Sequence, residues 1–313
     1  MQPIRKILVA LDHSSLDSEL VDYAQFFVDI SEVTTVHFMH VIKVSLSTQM
    51  KKEFPNLEKD TLTQRTKQIE AIISEHFKPK RNVEHFFNIS NQENRIKPII
   101  NAIKKEGIDM VMVGSKNEHN GSVGTFTQRI ARKSPCHILS VPVTGSLHIK
   151  RTHGLNKMLV PLDFSDHSKQ ALERAILIGA RIKDPVEILC QNVYTVPSGY
   201  HYSGKSRDEF AKLMKKHAVE HYNEFIATID TKGVKITPIF SDNINEDKTS
   251  DIRDLAKKED VDGIIMGSRG KTAAALLLGS VAEKLVSHEN KVPILVVRKK
   301  DDHENFLSRL RKL

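Results

Sequence analysis

The chain has 313 residues, of which 39% are hydrophobic and 27% charged, a balance that fits two soluble globular domains and excludes a disordered chain. Its formal net charge is +8, but the basic residues are scattered among acids and tryptophan is absent, so nucleic acid is not an expected partner. The longest nearly apolar run, Ala273 to Ala282, is too short to cross a bilayer, and a strand-like run by residue 4 leaves no place for a signal peptide, so neither membrane insertion nor export is expected.

In chain order, "KILVAL" and "VTTVHFMHVI" are β-branched apolar runs that read as buried strands. Between them, Leu16, Leu20, Tyr23, Phe27 and Ile30 recur at helical spacing, with Ser14 or Ser15 as the expected N-cap. A polar helix near Leu57–Phe77, a strand near Val83–Ile89 and a helix near Lys97–Lys105 follow. A strand at Met110–Val113, a helix at about Thr125–Lys133 and a strand at Ile138–Val141 complete this half.

The second half repeats the first. "RKILVALDHSSLDS" from Arg5 matches "NKMLVPLDFSDHS" from Asn156; "DMVMVGSK" from Asp109 matches "DGIIMGSR" from Asp262; "CHILSV" from Cys136 matches "VPILVV" from Val292. The offsets are 151, 153 and 156, so loop lengths differ slightly on one repeated framework. The Pro- and Gly-containing stretch Pro142 to Gly154 reads as a linker, giving domains at 1–145 and 155–299 and a charged tail at 300–313. Cys136 and Cys190 fall in different halves and form no metal-type pair, so a reducing, cytoplasmic setting is expected.

Strands alternating with helices imply, in each half, an α/β Rossmann-like domain with a mostly parallel sheet and helices on both faces. Such sheets bind ligands beyond the carboxyl ends of their strands, where the strand order reverses. That rule brings Asp12, Ser14 and Gly114 to one crevice in the first half, and Asp163, Ser165 and Gly267 to one in the second.

"MGSRGKTAAALLLGSVAEKLV", Met266 to Val286, has the look of a phosphate loop. A Walker loop needs a glycine five residues before Gly270, where Ile265 stands, and no Gly-x-Gly-x-x-Gly follows either first strand. What remains is Gly267-x-x-Gly270, eight residues, then Gly279-Ser280. The first two glycines allow a tight turn that brings amides close to an anion. Gly279-Ser280 opens an amphipathic helix with Leu278, Val281 and Leu285 on its apolar stripe, and its free amides favour phosphate. Ser268 belongs to the turn, and Arg269 and Lys271 add charge.

These motifs, with "LVPLDFSDHS" after strand 1 of the second half, resemble the universal stress protein family in its tandem two-domain form. The resemblance covers essentially residues 3–298 and implies two five-stranded sheets in the order 3-2-1-4-5. It also implies ATP or AMP as the ligand, with Mg as an accompanying ion, held against strands 1 and 4. Pro161 and Asp163 would line the adenosine end, and the main chain of Val193 would meet adenine. Gly267, Ser268, Arg269, Gly270, Lys271, Gly279, Ser280 and Val281 would hold phosphates and ribose. The eight residues between Gly270 and Gly279 are one fewer than the family pattern has.

The first half keeps Asp12 and Val41 at the adenosine positions, but its loop runs Gly114-Ser115-Lys116-Asn117, six residues, then Gly124-Thr125. Asn117 replaces a glycine and Glu118 brings negative charge, so a degenerate site is expected there. The family further implies that Ile138–Val141 and Ile294–Val297 pair as an intramolecular pseudo-dimer, with a homodimer of chains left open. No side chain stands out as a hydrolytic base, so binding with at most weak ATP hydrolysis is expected. The expected role is that of a stress-response sensor or regulator acting on a protein partner. The alternative is an interaction scaffold in which both loops have drifted. His217 and His221, four apart on an expected helix, are the one metal-like pair, and no third ligand accompanies them. Val196 to Phe210 reads as an insertion beside the adenine edge.

Overall fold

The computed structural model describes residues 2–115, 125–142, 155–270, 278–287 and 291–299. Its contacts divide the chain into two compact units. The first contains β1 (Lys6–Leu11), α1 (Asp17–Asp29), β2 (Thr35–Ile42), α2 (Thr48–Glu53), α3 (Leu57–His76), β3 (Glu84–Asn91), α4 (Ile96–Glu106), β4 (Met110–Ser115), α5 (Thr125–Lys133) and β5 (His137–Pro142). Every pairing in it is parallel, in the order β3-β2-β1-β4-β5. The central strands are apolar on both faces because helices cover both; Ile7, Val9, Met110 and Met112 are fully buried. The edge strand β3 is mostly open to solvent, as its polar residues require.

The second unit contains β6 (Lys157–Pro161), α6 (Asp166–Gly179), β7 (Glu187–Tyr194), α7 (Arg207–Ile226), β8 (Lys235–Asp242), α8 (Lys248–Lys258), β9 (Gly263–Gly267), α9 (Ser280–Ser287) and β10 (Ile294–Val297). Its sheet, again all parallel, runs β8-β7-β6-β9-β10. Both units therefore have the strand order that the family resemblance implies.

Two repeated aspartates have a structural purpose that the sequence match alone does not show. Asp109 Oδ2 accepts the amides of Arg5 and Lys6 at 2.9 and 3.0 Å. Asp262 Oδ2 accepts those of Asn156 and Lys157 at 2.8 Å each. In each unit the carboxylate that precedes the fourth strand thus anchors the start of the first.

One expected cap is wrong. Neither Ser14 nor Ser15 caps α1, whose N-cap position is Leu16 with no side-chain bond. The buried Asp17 turns back, and its two carboxylate oxygens accept the amides of Asp12 and His13 at 3.1 and 2.8 Å. Ser168 stands in this place in the second unit, where Ser165 does cap α6, its Oγ accepting from the Ser168 amide at 3.2 Å. The short α2, capped by Ser47, is an element the apolar periodicity does not announce.

Candidate functional site

The crevice of the second unit opens where β6 and β9 end. After Pro161, the amide of Leu162 bonds the carbonyl of Gln191 on the neighbouring strand at 2.7 Å. Asp163 follows, and its Oδ1 accepts both the Ser165 amide at 3.1 Å and the Ser165 hydroxyl at 2.6 Å. Ser165 in turn caps α6, so the carboxylate is held by the same loop that starts the helix. Phe164 between them has φ 60°, a left-handed conformation that a bulky side chain adopts only when its surroundings compel it. Its ring packs on Phe225 and His221 of α7, with centroids 5.6 and 6.1 Å away. The equivalent His13 of the first unit has φ 59°, so the strained residue is part of the repeated loop.

The three glycines of the loop do different work. A methyl built on Gly267 would lie 2.8 Å from the carbonyl carbon and oxygen of His167, so the first turn of α6 fills the place of the side chain. The sequence suggests that Gly267 frees the backbone for an anion; the packing shows that it admits the helix. A methyl on Gly270 would lie 2.6 Å from Asp163 Oδ2, so this glycine and the aspartate are neighbours. A methyl on Gly279 would lie 3.2 Å from the Cα of Arg269 and 3.3 Å from the carbonyl of Ser268.

That last contact closes the loop at its base. The Gly279 amide donates to the Ser268 carbonyl at 2.8 Å, and the Ser268 amide donates to Val297 at 2.9 Å. Ser268 is fully buried and its hydroxyl has no partner among the described residues, so it forms the floor of the turn rather than offering an amide to a phosphate. The first backbone bond of α9 runs from the Glu283 amide to the Gly279 carbonyl at 2.8 Å. The amides of Ser280, Val281 and Ala282 therefore have no acceptor within the helix. Val281 is half-buried; the apolar stripe of α9 is formed by Ala282, Leu285 and Val286, beside the buried Leu278. Lys271 lies outside the described residues, as do 116–124 of the first unit's loop and the tail at 300–313.

Val193, the last residue but one of β7, follows two polar residues that the apolar pattern hides. Asn192 Nδ2 donates to the Leu162 carbonyl at 2.8 Å, and the fully buried Gln191 donates to Ser241 Oγ at 3.0 Å and to the Asp251 carbonyl at 3.1 Å. Two amides inside "EILCQNVY" are themselves the signal, because buried polar groups demand partners. The insertion at Val196–Phe210 forms a 3-10 turn at Ser198–Ser203, with Tyr202 88% exposed, and then α7, opened by a reciprocal cap between Ser206 and Glu209. Arg207 grips Asp242 through two bonds of 2.8 and 3.0 Å, which ties α7 to the end of β8.

Among the described residues no three His, Cys, Asp or Glu side chains gather as metal ligands. One oxygen of Asp163 is bound by Ser165 and the other faces Gly270. The described residues therefore do not fit a protein-held Mg ion. They do fit a ligand that brings anionic oxygens to backbone amides and reaches past two side-chain-free positions.

Residues 3–142 and 154–298 each match the universal stress protein family. Universal stress protein MJ0577 of Methanocaldococcus jannaschii is 32% identical over 161 residues, covering 46% of this chain and 96% of that protein. Universal stress protein YxiE of Bacillus subtilis is 32% identical over 150 residues, covering 46% of this chain and 99% of its own. A solved universal stress protein from Archaeoglobus fulgidus aligns over 94% of this chain and 98% of its own, with a TM-score of 0.60 at 16% identity. A functionally unknown protein from Pseudomonas aeruginosa, PA1789, aligns over 99% and 98%, with a TM-score of 0.63 at 14% identity. These two structural likenesses speak to the fold.

Proposed function

The chain belongs to the universal stress protein family, with two of its domains in tandem, and from that premise we propose that the C-terminal domain binds an adenine nucleotide, ATP or AMP. The observation that carries this is the junction of Asp163 with Gly270, where a methyl would meet the carboxylate oxygen at 2.6 Å. Around it, Gly279 clamps the loop to Ser268, and α9 presents, at Ser280 and Val281, amides that have no acceptor within the helix. In this reading Asp163 and Pro161 face the ribose, and the backbone beside Val193 meets the base. Arg269, Gly270 and Lys271, together with the α9 terminus, hold the phosphates. Gly267 and Ser268 shape the loop from beneath.

The same geometry argues for binding without efficient turnover. Hydrolysis requires a base that positions water, and among the described residues the carboxylate at the crevice, Asp163, is held by Ser165 and faces the glycine turn. The bound nucleotide would act as a signal read by a protein partner, which fits a regulatory role in a stress response.

Protein purified without added nucleotide is to be denatured and the supernatant assayed for ATP, ADP and AMP. Calorimetric titration of ATP and AMP then compares wild type with Gly270→Ala, whose methyl displaces the Asp163 carboxylate. We expect nucleotide binding in wild type and at least a roughly tenfold loss in the variant, equivalent to about 1.4 kcal/mol. Equal affinities, or no affinity in either, would leave the scaffold reading in its place.

A further inference from the structure

The N-terminal unit has a cavity of its own, about 450 Å³ in volume, at the carboxyl ends of β1 and β2. Such a volume suits a small molecule. Asp12 and Val41, the counterparts of Asp163 and Val193, line it, but so do two guanidinium groups, Arg65 on α3 and Arg95 ahead of α4. Among the described residues neither arginine is paired with a carboxylate or any other acceptor. Lys43 at the rim is already matched by Glu93 at 3.3 Å. Two unmatched guanidinium groups at one pocket favour an anionic group and disfavour a neutral base.

A second, independent feature sits in the wall. His40 is 4% exposed and its Nδ1 lies 3.0 Å from the Leu11 carbonyl. A carbonyl can only accept, so Nδ1 carries the proton and Nε2 presents a lone pair. That buried Nε2 has no partner among the described residues. Burial, and the positive charge of Arg65, hold the imidazole below its usual range, which keeps Nε2 an acceptor. The C-terminal unit has Asn192 in this position, donating to Leu162 as His40 donates to Leu11. The N-terminal unit has kept the bond and extended the side chain, adding an acceptor on its far side.

We propose that this cavity is a second ligand site, chemically distinct from the C-terminal one. It takes a small organic anion, with its phosphate or carboxylate between Arg65 and Arg95 and a hydroxyl or amine donor on His40 Nε2. The N-terminal domain, whose loop sequence departs from the nucleotide pattern, is then a domain of changed specificity. The inference does not rest on nucleotide binding by the other unit.

The test uses the full chain with ¹⁵N-labelled histidine. Glycerol 3-phosphate, malate, inorganic phosphate and adenosine are titrated in turn while the His40 imidazole nitrogens are followed by NMR. We expect saturable shifts of His40 Nε2 with glycerol 3-phosphate or malate. Adenosine should give none, and inorganic phosphate, which satisfies only the arginines, should bind at least roughly tenfold more weakly. With affinity for glycerol 3-phosphate read by calorimetry, His40→Asn, which restores the other domain's residue and its bond to Leu11, and Arg65→Ala on α3 should each lower it by tenfold or more. Ser280→Asp should leave it unchanged. The proposal is overturned if adenosine binds in preference or if no probe shifts His40. It also fails if Arg65→Ala binds as wild type does, or if Ser280→Asp abolishes binding, which would move the anion to the C-terminal crevice.

Discussion

Replacing Gly267 by alanine distinguishes a packing role from a ligand role. The added methyl would sit 2.8 Å from the carbonyl carbon and oxygen of His167 and 2.9 Å from its Cβ. Unstrained carbon contacts need about 3.5 Å or more, so α6 or β9 must move by more than half an ångström. These are backbone atoms in the first turn of a capped helix, and no side-chain rotation relieves the clash. Overpacking of this kind costs roughly 1–3 kcal/mol. For a domain of this size that corresponds to about 3–10 °C in the melting temperature of the C-terminal unit. Thermal unfolding followed by circular dichroism, with and without ATP, reads it directly. A Gly267→Ala protein that melts as wild type does but no longer binds ATP would refute the packing argument and restore the reading of this glycine as an opening for the anion.

Burial pushes the Asp17 carboxyl up to about 7, against the pull of the amides it accepts. The folded form then holds a proton that the unfolded chain releases near 4, so stability falls as pH rises from about 4 to about 7 and is level above that. Asp17→Ser, which copies the other domain, should remove a gain of about 2 kcal/mol between pH 8 and pH 5.5. The comparison is of melting curves for the two proteins, because the buried His40 works in the opposite direction in both; identical pH profiles would contradict it. Asp262→Ala should cost roughly 1–3 kcal/mol in urea unfolding, since it leaves the Asn156 and Lys157 amides without their acceptor; a loss under about 0.5 kcal/mol would show that water replaces the carboxylate. Asn192→Ala should destabilise the C-terminal unit by a similar amount through the orphaned Leu162 carbonyl, and a neutral result would count against that bond as a support of the crevice.

The fold was open to reading because its information is periodic and repeated. Apolar runs such as "KILVAL" and "GIIMG" became the fully covered central strands, and the matched halves gave one strand order twice. Loop chemistry was harder, since one residue type serves several ends. Gly267, Gly270 and Gly279 look alike in the sequence, yet one admits a helix, one faces a carboxylate and one clamps a turn. Ser14 resembles a cap, but the buried Asp17, three residues on, takes over the loop's amides. The imidazole acceptor of His40 was invisible because its meaning depends on Leu11 across the sheet, 29 residues earlier in the chain.

The central claim is that the α9 terminus and the glycine turn of the C-terminal domain receive the phosphates of an adenine nucleotide. Ser280→Asp tests it most directly, because an acidic residue in the first turn of an exposed helix end stabilises the fold while occupying the place of the phosphates. Calorimetric titration of ATP should show affinity reduced tenfold or more in this variant, with a melting temperature at or above that of wild type. Undiminished ATP affinity in a fully folded Ser280→Asp protein would contradict the account.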